Sequence, residues 1–440
     1  MRSIRIRLPG RPFSITAFSL LANPLATLTL LYFMSAPTDY LHIPLLLFKA
    51  KLTNLIAFSL FLCALLLFKV IRIPQNSFLL TLAMLGSMSL SASTSINPLV
   101  CIGFILFFAF SYLCYFLTTY NLFRFFASDA LLKIYSYSFY CTGIYALCQV
   151  LFSLCGMSLP GVDQYILGIA RGQAFAYEPS FYALYMTPFT MYSTASFILQ
   201  DSSLRRIKNL FWPNLFLLAS TSTGCFFSYL FFLFFMIIFQ KLNIIKTRIR
   251  KLLFQFSISF TIMSVILWTM NKDLITSGFL KFFYSGVGHF SLQDRWRGLI
   301  EYWTIFLENP LIGVGFGAGP FYIAQQKSSQ VNLLDSSIFN RYCPMNATTE
   351  VLAGLGTLGA LLFLYFFYFL INTFRTTLKI PTLTQEERMT LIALALSICV
   401  MFSTLQFNQS IMRSYMWIHI GFFCGYANAL KNSIKRNSTL

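Results

Sequence analysis

Long uninterrupted apolar runs set the pattern of this chain, each close to the roughly 17–25 residues that a helix needs to cross hydrocarbon. They fall at Ser14–Met34, Thr53–Ile71, Ser77–Ser95, Pro98–Thr118, Ile134–Leu154 and Phe181–Leu199. A longer run, Leu210–Phe239, holds two short spans. Leu252–Met270, Thr348–Ile371, Thr390–Phe407 and Tyr415–Leu430 complete the series. Barrel strands alternate polar and apolar positions, and these runs do not. Helices satisfy their own backbone hydrogen bonds in lipid, so the pattern predicts an all-α, polytopic integral membrane protein of about twelve transmembrane helices.

Composition agrees: 57% of residues are hydrophobic and 10% charged, with a mean hydropathy of +0.69. A soluble domain carries about 25% charged residues, and this chain has too few to clothe a globule. The formal charge of +19 raises nucleic acid as a partner. However, the basic residues sit in short clusters between apolar runs, as the positive-inside rule expects, and build no basic face. Of 32 basic residues, 22 fall on one side if Leu210–Phe239 turns near Ser222–Gly224. Both termini are then cytoplasmic; the Arg-rich stretch Met1–Arg11 could open a cleaved signal peptide, but Ser14–Met34 is long enough to span and lacks a clear small-x-small site, which favours a retained first helix. The ten Cys show no CxxC or Cys/His spacing and read as small lipid-buried hydrophobes. His42, His289 and His419 read as structural, and no metal site is visible.

This topology leaves two long loops on the outer side and divides the chain into five parts. They are N-terminal transmembrane helices (1–155), a loop (156–180), helices including a short hairpin (181–270), a second, much longer loop (271–347) and C-terminal helices (348–440). In the long loop, Ser291–Leu307 has Trp296, Ile300, Trp303 and Leu307 on one helical face, which predicts an amphipathic helix along the membrane interface, ended by Asn309-Pro310.

The candidate chemistry lies in those loops. Arg171 and Glu178 are the only charges between Asp163 and Asp201. An Arg on the side that normally excludes positives suits anion binding, although a surface ion pair or lipid headgroups also account for it. Arg295 and Arg297 open the amphipathic helix and could clamp a pyrophosphate, or reach to phospholipid headgroups. The string Asn309–Gly319 carries Gly313, Gly315, Gly317 and Gly319 but no surrounding βαβ unit. Its glycines read as permitting a sharp turn and close approach to a substrate. Glu350, just inside a membrane helix, is costly there unless paired or functional. The glycines beyond it, Gly354, Gly356 and Gly359, suit close helix packing. Gln406, Asn408, Gln409 and Arg413 read as a polar turn.

In their order these motifs resemble the O-antigen polymerase and ligase superfamily, Wzy and WaaL. The resemblance rests on Arg171 to Pro179, the Ser/Thr-rich turn Ser220–Gly224, Asp294–Trp303, and Asn309–Gly315. The ligases close with His-Asn and a later Gly-x-x-Gly. Here Asn346 precedes Gly356 and Gly359, but Met345 stands in the His position, which favours the polymerase branch. The resemblance implies a fold like the membrane glycosyltransferases of type C, in the bacterial inner membrane. It further implies metal-independent transfer of a glycan from undecaprenyl pyrophosphate to a repeat unit on the same lipid, with no cofactor. Arg171, Glu178, Arg295 and Glu350 are the expected catalytic residues. The expected substrate-binding residues are Arg297, Trp296, Trp303, Arg341 and Asn346. A chain-length regulator of the Wzz kind and a flippase of the Wzx kind are the implied partners, besides membrane lipids. A WaaL-type ligase, a lipid-linked oligosaccharide flippase and a transporter unrelated to glycans are the rival readings.

Overall fold

In the computed structural model, Asn23 caps the first helix: its side chain accepts from the amides of Leu25 and Ala26, and Pro24 supplies a ready-made first turn. The structure describes residues 23–39, 42–44, 49–68, 71–166, 169–199, 204–245, 287–328, 332–333, 335–344, 346–406 and 411–437. The expected span Leu252–Met270, the start of the long loop and Met345, Asn408 and Gln409 lie outside them.

Among these residues the chain is mostly helical. Helix α1 (Pro24–Ser35) leads through a small ribbon, β1 (His42–Pro44) antiparallel to β2 (Lys49–Lys51). Then come α2 (Leu52–Phe68), α3 (Gln75–Ser93), α4 (Pro98–Phe125) and α5 (Ser128–Leu154). The loop after α5 folds as a second ribbon, β3 (Tyr165–Ile166) and β4 (Ile169–Ala170), before α6 (Pro179–Leu199). Helices α7 (Leu204–Ala219) and α8 (Thr223–Lys241) form the expected hairpin. It turns at Ser220–Ser222, slightly earlier than the sequence suggests, because Thr221 takes a positive φ of 46° and the Ser220 hydroxyl donates to the Leu217 carbonyl. The long loop contributes α9 (Val287–Glu308), α10 (Gly319–Lys327) and α11 (Ser336–Arg341). The chain then runs through α12 (Ala347–Leu378), α13 (Gln385–Leu405) and α14 (Ser414–Asn437).

Helices α4, α5, α12 and α13 are long and apolar enough to cross a membrane, and shorter apolar helices accompany them. The chain is a helical membrane protein. Helix α13 is its central post: Leu391, Ile392, Leu394, Leu396, Val400, Met401 and Leu405 are fully enclosed, and α6 and α8 pack on it. Helix α14 lies against α4, where Gly421 lets the backbones meet: a Cβ there would stand 2.6 Å from the Phe116 carbonyl oxygen. His419 is buried in this core. Its Nδ1 is 2.8 Å from the Tyr135 hydroxyl and its Nε2 is 2.7 Å from Ser397 Oγ, so one imidazole ties α5, α13 and α14 together.

Two membrane helices depart from regular geometry. In α4, Ser111–Leu117 winds as a π-helix. The Tyr32 hydroxyl of α1 donates to the carbonyl of Tyr115 at 3.1 Å, taking up bonding capacity that the wider turn releases. Helix α12 is broken at Gly356, whose φ of 62° and ψ of −159° are open only to glycine. The groups released by the break bond to the Gly-rich string. Val314 and Gly315 amides donate to the carbonyls of Ala353 and Gly354 at 3.0 and 3.1 Å, and Thr357 and Leu358 amides donate to Pro310 and Leu311 at 2.8 and 3.3 Å. Non-helical backbone is tolerated in a membrane helix only when protein satisfies it in this way.

This docking corrects the expectation for both glycine sets. A Cβ on Gly313 would come within 2.5 Å of the Gly354 carbonyl carbon, and one on Gly356 within 2.4 Å of Leu311. The string turns sharply, with positive φ at Gly313, Gly315 and Gly317, but what it approaches is protein: Gly313 meets the broken helix, Gly315 meets Ser95 and Cys101, and Gly317 meets Phe104. Gly354 and Gly356 likewise admit a loop where helix-helix packing was expected.

Candidate functional site

Gln149, deep on α5, organises the loop that carries Arg171 and Glu178. Its amide donates to the carbonyls of Pro160 and Ala174 and accepts from the amides of Gln173 and Ala174. All of its bonding is therefore spent on one loop, which is the condition under which a buried amide stabilises. The loop is pinned again at Gly172, whose amide donates to Ala219 at the end of α7.

So held, Arg171 reaches the Ser/Thr turn of the α7–α8 hairpin. Nε donates to the Ser220 carbonyl and Thr221 Oγ1, Nη2 to the Thr221 carbonyl and Nη1 to Gln164 Oε1, at 3.0–3.2 Å. These acceptors are neutral, so they orient the guanidinium without cancelling its charge. Burial pulls Arg171 below its ordinary value, and the Cys225 thiol and Glu178 oppose that pull. Glu178 is half-buried just before α6, and its Oε2 accepts from the Ser180 hydroxyl at 2.9 Å.

Arg295 arrives from α9, more than a hundred residues later in the chain. Burial lowers it as well, and Glu178 is the charge that counters the effect. Two half-buried guanidiniums from separate loops thus share the field of one carboxylate. The Arg295 guanidinium carries the planar donor fork that binds phosphate oxygens in pairs. Both arginines pay a desolvation cost that a second anion would relieve.

Glu350, 3% exposed, sits in the first turn of α12, and its Oε2 accepts from the Ile411 amide at 3.4 Å. Asn346 caps that helix, accepting from the amides of Thr348 and Thr349 and donating to the Gln406 carbonyl. Its placement is accounted for by capping. Cys343 links the groups: its thiol is pushed up to about 12 by burial and then by Glu350, with Arg413 opposing and Glu178 adding to the rise.

The remaining expected residues lie elsewhere. Trp296 is 66% exposed and shares an outward stripe with Ile300, Trp303 and Leu307, the face expected of an interfacial helix. Arg297 faces Glu301 at 3.9 Å, and Lys327 pairs with the same carboxylate. Arg341 lies over the Tyr342 ring, 5.6 Å from its centre. The structure therefore gathers Arg171, Glu178 and Arg295, sets Glu350 close by through Cys343, and leaves the two tryptophans, Arg297 and Arg341 on the surface around them.

Sequence reasoning passed over Asp39 and treated Arg413 as part of a polar turn. Both lie beside this cluster: Arg413 stacks 3.7 Å above the Phe181 ring and stands 4.0 Å from Asp39. Comparison with protein-family models and with curated proteins finds no match to this chain.

Proposed function

We propose that this protein is a membrane glycosyltransferase that polymerises oligosaccharide repeat units carried on undecaprenyl pyrophosphate. It acts at the periplasmic face of the inner membrane, within a bundle of about twelve helices whose termini are both cytoplasmic. The observation that carries this reading is a half-buried Arg171, held on the α7–α8 turn by neutral acceptors alone, with Glu178 near enough to act electrostatically on both Arg171 and Arg295.

In this mechanism Arg171 and Arg295 grip the pyrophosphate of the donor. A hydroxyl of the acceptor repeat gives its proton to Glu178, and its oxygen bonds to the donor's anomeric carbon. The bond from that carbon to the phosphate oxygen breaks, and its electron pair leaves with undecaprenyl pyrophosphate. Guanidinium charge held in a partly dehydrated rim stabilises that departing anion, as preorganised donors stabilise developing charge in acyl and phosphoryl transfers. Glu350, satisfied by a backbone amide, supports the cluster electrostatically. The outward stripe of α9 seats that helix at the lipid headgroups, which brings Arg295 to the depth of a lipid-borne phosphate.

Gel ladders of surface glycan test the proposal. Arg171→Ala and Arg295→Ala should leave the protein in the membrane while the cells display glycan of a single repeat. Long chains of normal distribution from both variants would refute it. A deletion strain separates the ligase alternative, because loss of a ligase leaves finished polymer on its lipid carrier.

A further inference from the structure

Asp39 lies in the turn after α1 and is only 10% exposed. Four separate groups converge on it. The Lys51 ammonium donates to its carboxylate, the Tyr177 amide donates to Oδ2 at 3.4 Å, and Arg413 Nη1 stands 4.0 Å from the same oxygen. Its own amide donates to the Phe175 carbonyl at 2.9 Å. Asp39 therefore grips the loop on both sides of Ala176, two residues before Glu178.

The far end of the grip is fixed as well. Arg413 lies flat on Phe181, whose amide donates to the Glu178 carbonyl at 3.0 Å, and Ser414 Oγ donates to Ala36 at 3.0 Å. The α1–α2 connection, the Glu178 turn and the entry to α14 are thus bolted together through one carboxylate. A buried aspartate is costly unless paired. This one is paired to two cations, Lys51 and Arg413, and Arg413 also lies against Phe181 at the Glu178 turn.

We infer that Asp39 is a positioning residue for glycosyl transfer: it sets the Tyr177–Glu178 turn and holds the Arg413 guanidinium beside that turn. The inference rests on the proposed transfer reaction. Asp39 touches neither glycan nor pyrophosphate; it acts through Glu178 and Arg413.

The test uses the full-length protein in lipid nanodiscs with a synthetic lipid-linked repeat as substrate. Asp39→Asn keeps the shape and removes the charge. It should lower kcat roughly tenfold or more with KM within about threefold, and Asp39→Glu should restore most of the loss. Arg413→Gln should have a similar effect. If the two residues act as a unit, the double variant should lose no more than the worse single one. Hydrogen exchange provides a readout independent of turnover: amides of Tyr177–Phe181 should exchange faster in Asp39→Asn while those of α13 stay unchanged. Wild-type turnover in Asp39→Asn, or unaltered exchange at those amides, overturns the inference alone. If the wild-type protein itself does not elongate the substrate, the transfer reading is overturned, and the inference with it.

Discussion

At the scale of single residues, three buried polar groups of this membrane protein are each spent on specific partners. Gln149 uses both ends of its amide on one loop, His419 bridges Tyr135 and Ser397, and Asp39 collects two cations and an amide. Asp39 has a consequence in pH. Burial pushes its carboxyl up, but Lys51, then Arg413, and the hydrogen bonds from Lys51 and Tyr177 outweigh burial, leaving it below its ordinary 3.8. A carboxyl depressed in the folded state contributes stability that is fully present above its unfolded value and lost as pH falls through its folded value. The difference in unfolding free energy between wild type and Asp39→Asn should therefore be constant from neutral pH down to about 5, and then shrink as the solution is acidified further. Thermal unfolding in detergent across that range measures it. A difference that grew on acidification would contradict the assigned pairing.

At the scale of elements, periodicity was readable wherever a helix answers only to its own face. The stripe Trp296, Ile300, Trp303 and Leu307 is exposed on α9 as its spacing implies, and Asn309-Pro310 ends that helix. The hairpin α7–α8 likewise follows from charge clusters that demand an extra crossing. The break in α12 was not readable, because Gly354, Gly356 and Gly359 have the spacing of packing glycines and the segment that fills the break lies some forty residues upstream. Asp39 was missed for a similar reason: a single aspartate in a short connection carries no pattern, and its partners come from three distant segments. The break makes a sharp expectation. Gly356→Ala puts a side chain into a conformation that costs about 1–3 kcal/mol by itself and drives a Cβ into the Leu311 backbone. Its melting temperature should fall by several degrees, whereas Gly86→Ala on α3, with open space around it, should stay within about a degree. Equal melting temperatures for the two variants would show that the loop does not dock as described.

Across the whole molecule, the proposed site draws on the α1–α2 connection, both long loops, the α7–α8 turn and the starts of α12 and α14. These segments must share one side of the membrane for the charges to meet. Cys155 reports on that side, since it is exposed at the end of α5 where the first loop begins. In a variant retaining Cys155 alone, a membrane-impermeant maleimide added to intact spheroplasts should label it without lysis. Labelling seen only after lysis would put the arginines on the cytosolic side and exclude a periplasmic reaction. The distribution of Lys and Arg predicts the orientation that this labelling checks; the assembly of the site from six segments was not legible, because no sequence pattern relates residues so far apart.

The broken helix also dictates an order of assembly. Pro310, Leu311, Val314 and Gly315 leave the ribosome before the residues of α12 whose backbone they complete. They must therefore wait, unmated, until α12 has entered the bilayer. Until the two meet, α12 holds open peptide groups inside the lipid. Insertion and folding are thus separate events for this segment, and the closing of the gap at Gly356 is a late one.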